Sequence, residues 1–92
     1  MIRSFKSKAL EDFAETGNPA KLGVQNHTRV RRLINALDAA ISPRDMDQPG
    51  LFFHALRGRE AGRFSVRVTG NWRLTFAFDG EDAIDLDLED YH

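Results

Sequence analysis

The sequence predicts an α+β fold in which two N-terminal helices pack on a four- to five-stranded, mostly antiparallel sheet. Apolar residues recur at helical spacing in the first half of the chain, whereas they alternate with polar residues in the second half. Short turn signals rich in Gly and Asn separate the alternating segments, as is typical of hairpins. The length of 92 residues allows a single domain, residues 1–92.

Two helices account for the first half of the chain. The first is predicted to begin after an N-cap at Ser7, to run to about residue 15 and to end at Gly17. The second spans about residues 26–41, and its buried stripe consists of Val30, Leu33, Ile34, Leu37, Ala40 and Ile41. Its other face carries Arg29, Arg31 and Arg32, which either form a solvated surface or contact phosphate or an acidic partner. Residues 42–50 then form an irregular loop.

The strands are predicted at residues 1–5, 52–56, 63–78 and 83–89, with residues 63–78 forming a hairpin. The hairpin turns at Gly70, where a positive φ is required. Its apolar face carries Phe64, Val66, Val68, Trp72, Leu74, Phe76 and Phe78. Its opposite face, called the front face below, carries Arg63, Arg67 and Arg73. In the last strand Ile84, Leu86 and Leu88 are predicted to point inward and Asp85, Asp87 and Glu89 outward.

Charge is divided unevenly along the chain although the net charge is only −1. Residues 1–73 hold 13 basic and 7 acidic residues, whereas residues 74–92 hold 7 acidic and no basic ones. Either the acidic strand lies beside the basic hairpin and neutralises it, or the basic front face binds a polyanion and the acidic end forms a separate patch.

Several classes of protein are disfavoured by composition. The chain has no cysteine, which excludes disulfides, thiol nucleophiles and cysteine-ligated zinc. It has no apolar run long enough to span a membrane and no apolar N-terminal signal, so we expect a cytoplasmic location and no membrane partner. Three scattered histidines have no metal-ligand spacing, so neither a metal nor a cofactor is expected.

The candidate catalytic groups lie on or near the predicted sheet. An antiparallel meander brings the ends of its strands together, and these carry His54, Arg73 and the segment Asp90-Tyr91-His92. These residue types suit RNA strand transfer, which needs a base for the ribose 2′-OH, a cation for the phosphate and an acid for the departing 5′ oxygen. His54 alone would be interpreted as a half-buried residue at a sheet edge, and His27 as a surface or capping residue.

Several segments along the chain carry a resemblance to a known family, namely MIRSFK, LINALDAA with SPRDMDQPG, FFHALRG, SVRVTGNWRLTFAF and EDYH. Taken together, they resemble HigB-type toxins of the RelE superfamily. The resemblance covers nearly the whole chain and implies a RelE-like fold in a type II toxin–antitoxin system. It also implies a ribosome-dependent endoribonuclease that cuts mRNA in the A site. The implied partner is a helix-turn-helix antitoxin of the HigA type. The toxin would contact operator DNA only through this antitoxin.

The family's functional positions correspond here to His54, Arg73, Asp90, Tyr91 and His92. On this resemblance we expect His92 to be the general base, Arg73 to stabilise the pentavalent phosphate, Tyr91 to stack on or orient a base, and His54 with Asp90 to tune or complete proton transfer. Arg57, Arg63 and Arg67 are candidates for binding phosphate. The chain departs from the family in being nearly neutral, which predicts a slow or salt-sensitive toxin because phosphate contacts dominate affinity for nucleic acid.

Two other functions fit the same residues. The chain could be a catalytically weak or inactive module that binds RNA or an antitoxin, or a plain RNA-binding domain that uses its arginines and Trp72. Expression separates these functions, because a toxin arrests growth and a binding module does not.

Overall fold

The computed structural model describes residues 1–91, so the predicted site residue His92 lies outside the described residues. Two helices come first, α1 (Lys8–Thr16) and α2 (His27–Ala39). Four strands follow in one antiparallel sheet of order β1-β2-β3-β4, namely β1 (His54–Ala55), β2 (Phe64–Thr69), β3 (Trp72–Asp79) and β4 (Asp82–Asp90). Short 3₁₀ turns occupy Pro43–Met46 and Gly58–Glu60. The predicted α+β architecture is confirmed.

Capping residues explain where both helices begin and where α1 ends. The Ser7 hydroxyl accepts a hydrogen bond from the Leu10 amide, and Gly17 ends α1 in the left-handed region with φ of 77°. The Asn26 side chain caps α2 by accepting from the Arg29 amide. The prediction that α2 reaches Ile41 is wrong, because Ala40 is already extended and Ile41 is 60% exposed.

The core lies between the helices and the apolar face of the sheet. Its largest fully buried side chains are Phe76, Leu10, Leu37, Met46, Leu74, Leu86, Val30 and Val66. Met46 belongs to the loop predicted as irregular, where a 3₁₀ turn directs it inward. The predicted faces of the hairpin are confirmed, since Val66, Val68, Leu74 and Phe76 are all buried in this core.

The outer strands are shorter than predicted. Only His54–Ala55 of the predicted strand 52–56 pairs with β2. The strand does not begin earlier because Phe52 has a φ of 51°, which lies in the left-handed region and outside the extended one. Residues 1–5 run beside β4 as two isolated parallel bridges, Ile2 with Ala83 and Phe5 with Leu86, and do not form a regular strand.

A bulge in β4 changes which residues face the core. The register shifts between Thr75 and Ala77, and Asp85 adopts a φ of 54°. Leu86 and Leu88 pack on the core as predicted, but Ile84 does not, and Ala83 is buried in its place. The prediction for Ile84 is therefore wrong, because one extra residue reverses the alternation beyond the bulge.

The arginines of α2 brace the fold. Arg29 Nη2 donates to the carbonyl oxygens of Gly50 (3.0 Å) and Arg67 (2.9 Å). Arg31 Nη2 donates to Phe13 O (2.7 Å), and its guanidinium lies 4.7 Å from the centroid of the Phe13 ring. Arg32 remains exposed, so it is the one of the three that forms a solvated surface.

Candidate active site

The front face is organised by the register of its strands. Arg67 on β2 is directly opposite Arg73 on β3, and Arg73 is directly opposite Glu89 on β4. Directly opposed residues project from the same face of a sheet, so these three side chains form one row. A second row contains His54, Ser65, Thr75 and Asp87. The prediction that Arg67 and Arg73 share a face is thus supported by the pairing of β2 with β3, and the contact of Arg63 with Thr75 places Arg63 on the same face.

A hydrogen-bonded network occupies the centre of the front face. Arg63 Nη2 donates to Thr75 Oγ1 and to Asp85 O, both at 2.9 Å. The buried Thr75 hydroxyl in turn donates to Glu89 Oε2 at 2.6 Å. Arg63 Nε also lies 3.4 Å from the Glu60 carboxylate, and its side chain is only 13% exposed. Protein acceptors therefore hold Arg63, which was predicted to bind phosphate.

The Arg73 side chain is accessible from the front face, although hydrogen bonds hold one of its terminal nitrogens. Its Nη1 donates to Gly70 O (3.1 Å) and Trp72 O (3.3 Å), which orients the guanidinium at the hairpin turn. A guanidinium has five N–H donors in a fixed plane, so two bonds from Nη1 leave further donors for an anion. Arg73 is half-buried, where its electrostatic interactions are stronger than in bulk water.

Tyr91 is brought to the front face by the end of β4. Its amide donates to Asn71 O (2.8 Å), which anchors the backbone just past the strand. Partial burial raises the pKa of the Tyr91 phenol, and the charges of Glu89 and Glu60 raise it further, while Arg63 and Arg73 act in the opposite direction. The phenol is therefore protonated at neutral pH and available as a hydrogen-bond donor.

The remaining predicted site residues lie around this centre. His54 is exposed on edge strand β1, on the front face because it is opposite Ser65. Arg57 is exposed at the start of the turn Gly58–Glu60. Asp90 pairs with Trp72, so alternation directs it to the other side of the sheet from Arg73. The structure thus brings together Arg67, Arg73 and Tyr91, with His54 at the edge of the same face.

Sequence reasoning missed several groups that shape the site. The outward direction of Glu89 was predicted, but its contact with Thr75 and its position opposite Arg73 required the pairing of β3 with β4. Glu60 lies in a loop and gave no periodic signal. Phe52 was interpreted as part of a strand, yet its ring is exposed and lies 5.2 Å from the Arg67 guanidinium carbon.

The acidic residues of the C-terminal strand have several partners. β4 does lie beside the basic hairpin, with Glu89 opposite Arg73. At the other end of β4, Arg3 forms ion pairs with Asp82 and, across the turn, with Asp79 at the end of β3. Some of these acidic residues therefore pair with Arg3 in the N-terminal segment, and others lie beside the basic residues of the front face.

Residues 1–91 contain neither a candidate metal cluster nor a helix that could span a membrane. No group of three or more His, Asp or Glu side chains within that range could hold a metal ion. Neither helix described there is long and apolar enough to cross a bilayer.

The chain is similar to a known family along nearly its whole length. A family model for HigB-like toxins, described as the RelE-like toxin of the type II toxin–antitoxin system HigB, matches residues 3–92. The chain is also 36% identical over 92 residues to Endoribonuclease HigB of Proteus vulgaris, and the alignment covers 100% of both chains.

Proposed function

The chain belongs to the HigB-like family of RelE-like type II toxins, and from this premise we propose that it is an endoribonuclease that cuts mRNA in the ribosomal A site. The observation that carries the proposal is the arrangement of Arg67, Arg73 and Tyr91 on the front face, with the exposed imidazole of His54 at its edge. This arrangement offers cations, a hydrogen-bond donor and an imidazole to bound RNA.

The proposed reaction is attack by the ribose 2′-OH on the adjacent phosphorus. A 2′-oxygen–phosphorus bond forms and the bond to the 5′ oxygen breaks, which leaves a 2′,3′-cyclic phosphate and a 5′-hydroxyl. His92 accepts the proton of the attacking hydroxyl, and His54 completes proton transfer to the departing 5′ oxygen. The reaction needs no metal or cofactor, since side chains supply the base, the acid and the cation.

Arg73 stabilises the charge that develops on the phosphate in the transition state. Its anchoring to Gly70 O and Trp72 O supports this role, because a preorganised cation costs no reorganisation during the reaction. Arg57 and Arg67 bind the flanking phosphates. Tyr91 orients a neighbouring base, and its raised pKa keeps its hydroxyl a donor throughout.

A type II toxin has an antitoxin as its partner. We propose that this antitoxin is a helix-turn-helix protein of the HigA type, which alone connects the toxin to operator DNA. It inhibits by holding the toxin off the ribosome and leaves the front face exposed. The toxin acts in the cytoplasm, where ribosomes and mRNA are its other partners.

Cleavage of mRNA on purified ribosomes tests the proposal. The unmodified toxin is expected to cut, whereas Arg73→Ala should lower the rate by about 10²- to 10³-fold, the usual cost of removing one transition-state donor. Arg32→Ala, which removes an exposed arginine on α2, is the matched control and should cut at the original rate. A 2′-deoxy nucleotide at the cleaved position should abolish cleavage, and cutting of that substrate would refute the 2′-OH mechanism.

The charge balance of the front face favours a second candidate, a catalytically weak or inactive module that binds RNA or the antitoxin. Glu89 lies opposite Arg73, and Glu60 pairs with Arg63, so carboxylates offset part of the basic charge. Such a module would bind the antitoxin without arresting growth. Expression of the unmodified chain alone distinguishes the two functions.

A further inference from the structure

We propose that Phe52 and Arg67 form a platform that binds an unstacked nucleobase of single-stranded RNA beside the candidate active site. The proposal rests on the proposed function, since the RNA is the mRNA whose cleavage is proposed above. It adds a base-recognition site at the edge of the front face, in which Phe52 supplies a ring beside Arg67, the residue assigned above to a flanking phosphate.

Phe52 is placed where stability alone would not place an aromatic residue. Its side chain is 56% exposed, and its backbone has a φ of 51°, a region that residues other than Gly, Asn and Asp rarely adopt. The adjacent Phe53 shows the ordinary alternative, since its ring stacks on Phe64 at 5.6 Å and packs against the core. Strained backbone of this kind clusters at binding and active sites.

The backbone immediately before Phe52 is held to β2. The Leu51 carbonyl accepts a hydrogen bond from the Arg67 amide at 2.7 Å. Arg29 Nη2 bridges the carbonyl oxygens of Gly50 and Arg67, so α2 secures the same junction from the other side. The exposed ring is therefore attached to a braced segment and is preorganised for a ligand.

Arg67 supplies the second component of the platform. Its guanidinium carbon lies 5.2 Å from the centroid of the Phe52 ring, within the range of a cation–π contact. Arg67 projects from the front face opposite Arg73, and His54 projects from the same face two residues after Phe52. A base stacked on the exposed ring would thus have a cation beside it for its own phosphate.

This combination matches how proteins bind single-stranded RNA. Unstacked bases pack on aromatic rings or guanidinium planes while neighbouring cations contact the backbone. An aromatic ring reads only the π-face of a base, so this platform should accept all four bases and favour the larger purines.

Steady-state cleavage by three variants tests the platform. Phe52→Leu keeps an apolar side chain but removes the ring, and it should raise KM between about fivefold and about a hundredfold, as expected for loss of one base stack. Phe52→Tyr keeps the ring and should restore the original KM. Ile41→Ala is the matched control, because Ile41 is an equally exposed apolar residue at the end of α2.

A binding measurement provides a readout other than activity. Ribosome-bound mRNA carrying a 2′-deoxy block and 2-aminopurine next to the blocked position should lose fluorescence on adding the unmodified toxin or Phe52→Tyr. Phe52→Leu should produce no such quenching. Should Phe52→Leu fail to fold, Arg67→Lys tests the same contact, because it keeps the charge and removes the planar guanidinium.

The outcomes separate this inference from the proposed function. Failure of the unmodified toxin to cut mRNA would refute the proposed function, and quenching by it would still support the platform. Normal cleavage and undiminished quenching by Phe52→Leu would overturn the platform alone. Weakened antitoxin binding by Phe52→Leu, with normal cleavage, would also overturn it, because the ring would then contact a protein partner.

Discussion

Replacing Thr75 with Val should destabilise the protein substantially although the two side chains have nearly the same shape. The Thr75 hydroxyl is fully buried, accepts from Arg63 Nη2 at 2.9 Å and donates to Glu89 Oε2 at 2.6 Å. Hydrogen bonds to charged groups contribute about 1.5–3 kcal/mol each. Glu89 is half-buried and can bind water instead, whereas the Arg63 side chain is 13% exposed and has little access to water.

Counting only the bond to Arg63, we expect Thr75→Val to lower the free energy of unfolding by about 2 kcal/mol. For a domain of this size the corresponding fall in Tm is roughly 8–16 °C. Thr69→Val at the exposed end of β2 is the matched control and should change stability by no more than about 0.5 kcal/mol. Urea unfolding followed by the fluorescence of the single Trp measures both variants.

A Thr75→Val variant as stable as its Thr69→Val control would refute the reasoning. It would mean that Arg63 finds an equivalent partner elsewhere, so that the network at the centre of the front face contributes nothing to stability. A double-mutant cycle with Arg63→Lys would check the interpretation further. The two substitutions should be less than additive if they remove the same hydrogen bond.

Four other predictions concern Phe76, Gly23, Tyr91 and His92. Phe76→Ala should lower the free energy of unfolding, measured by denaturant titration, by roughly 3–5 kcal/mol, because it removes a large, fully buried side chain. Gly23→Ala should destabilise the protein and shift the fluorescence of Trp72, because an added Cβ would lie 2.6 Å from the Trp72 ring. The phenolate absorbance of Tyr91, the single tyrosine, should titrate at higher pH in the folded than in the unfolded chain. Because the folded pKa is raised, the stability linked to this group is present below the unfolded pKa of about 10 and is lost as pH rises through the folded value. Removal of His92 should change stability by no more than about 0.5 kcal/mol, yet lower mRNA cleavage by about 10²- to 10⁴-fold and abolish growth arrest.

Much of the fold could be predicted from short-range patterns. The cap at Ser7 and the stop at Gly17 depend on residues within four positions of each other. The two faces of the hairpin depend on strict alternation around a tight turn at Gly70. For the same reason the sequence predicted that Arg67 and Arg73 share a face, as the register confirms.

The errors occur where the backbone departs from regular geometry. Alternation predicted an inward Ile84, but the bulge at Asp85 reverses the pattern. The bulge is held by Ser4, whose hydroxyl accepts from the Asp85 amide at 2.9 Å across 81 residues of sequence. A pattern read within one strand contains no information about such a distant partner.

By itself the sequence determined the two helices and the hairpin, most of their core-facing residues, and the family to which the chain belongs. Only the tertiary structure decided that Arg63 is held by Thr75 and Glu60 while Arg73 remains accessible, and that Phe52 is exposed beside Arg67. The physical reason is that side-chain alternation and capping are local, whereas the partner of a buried charge depends on which strands and loops pack together.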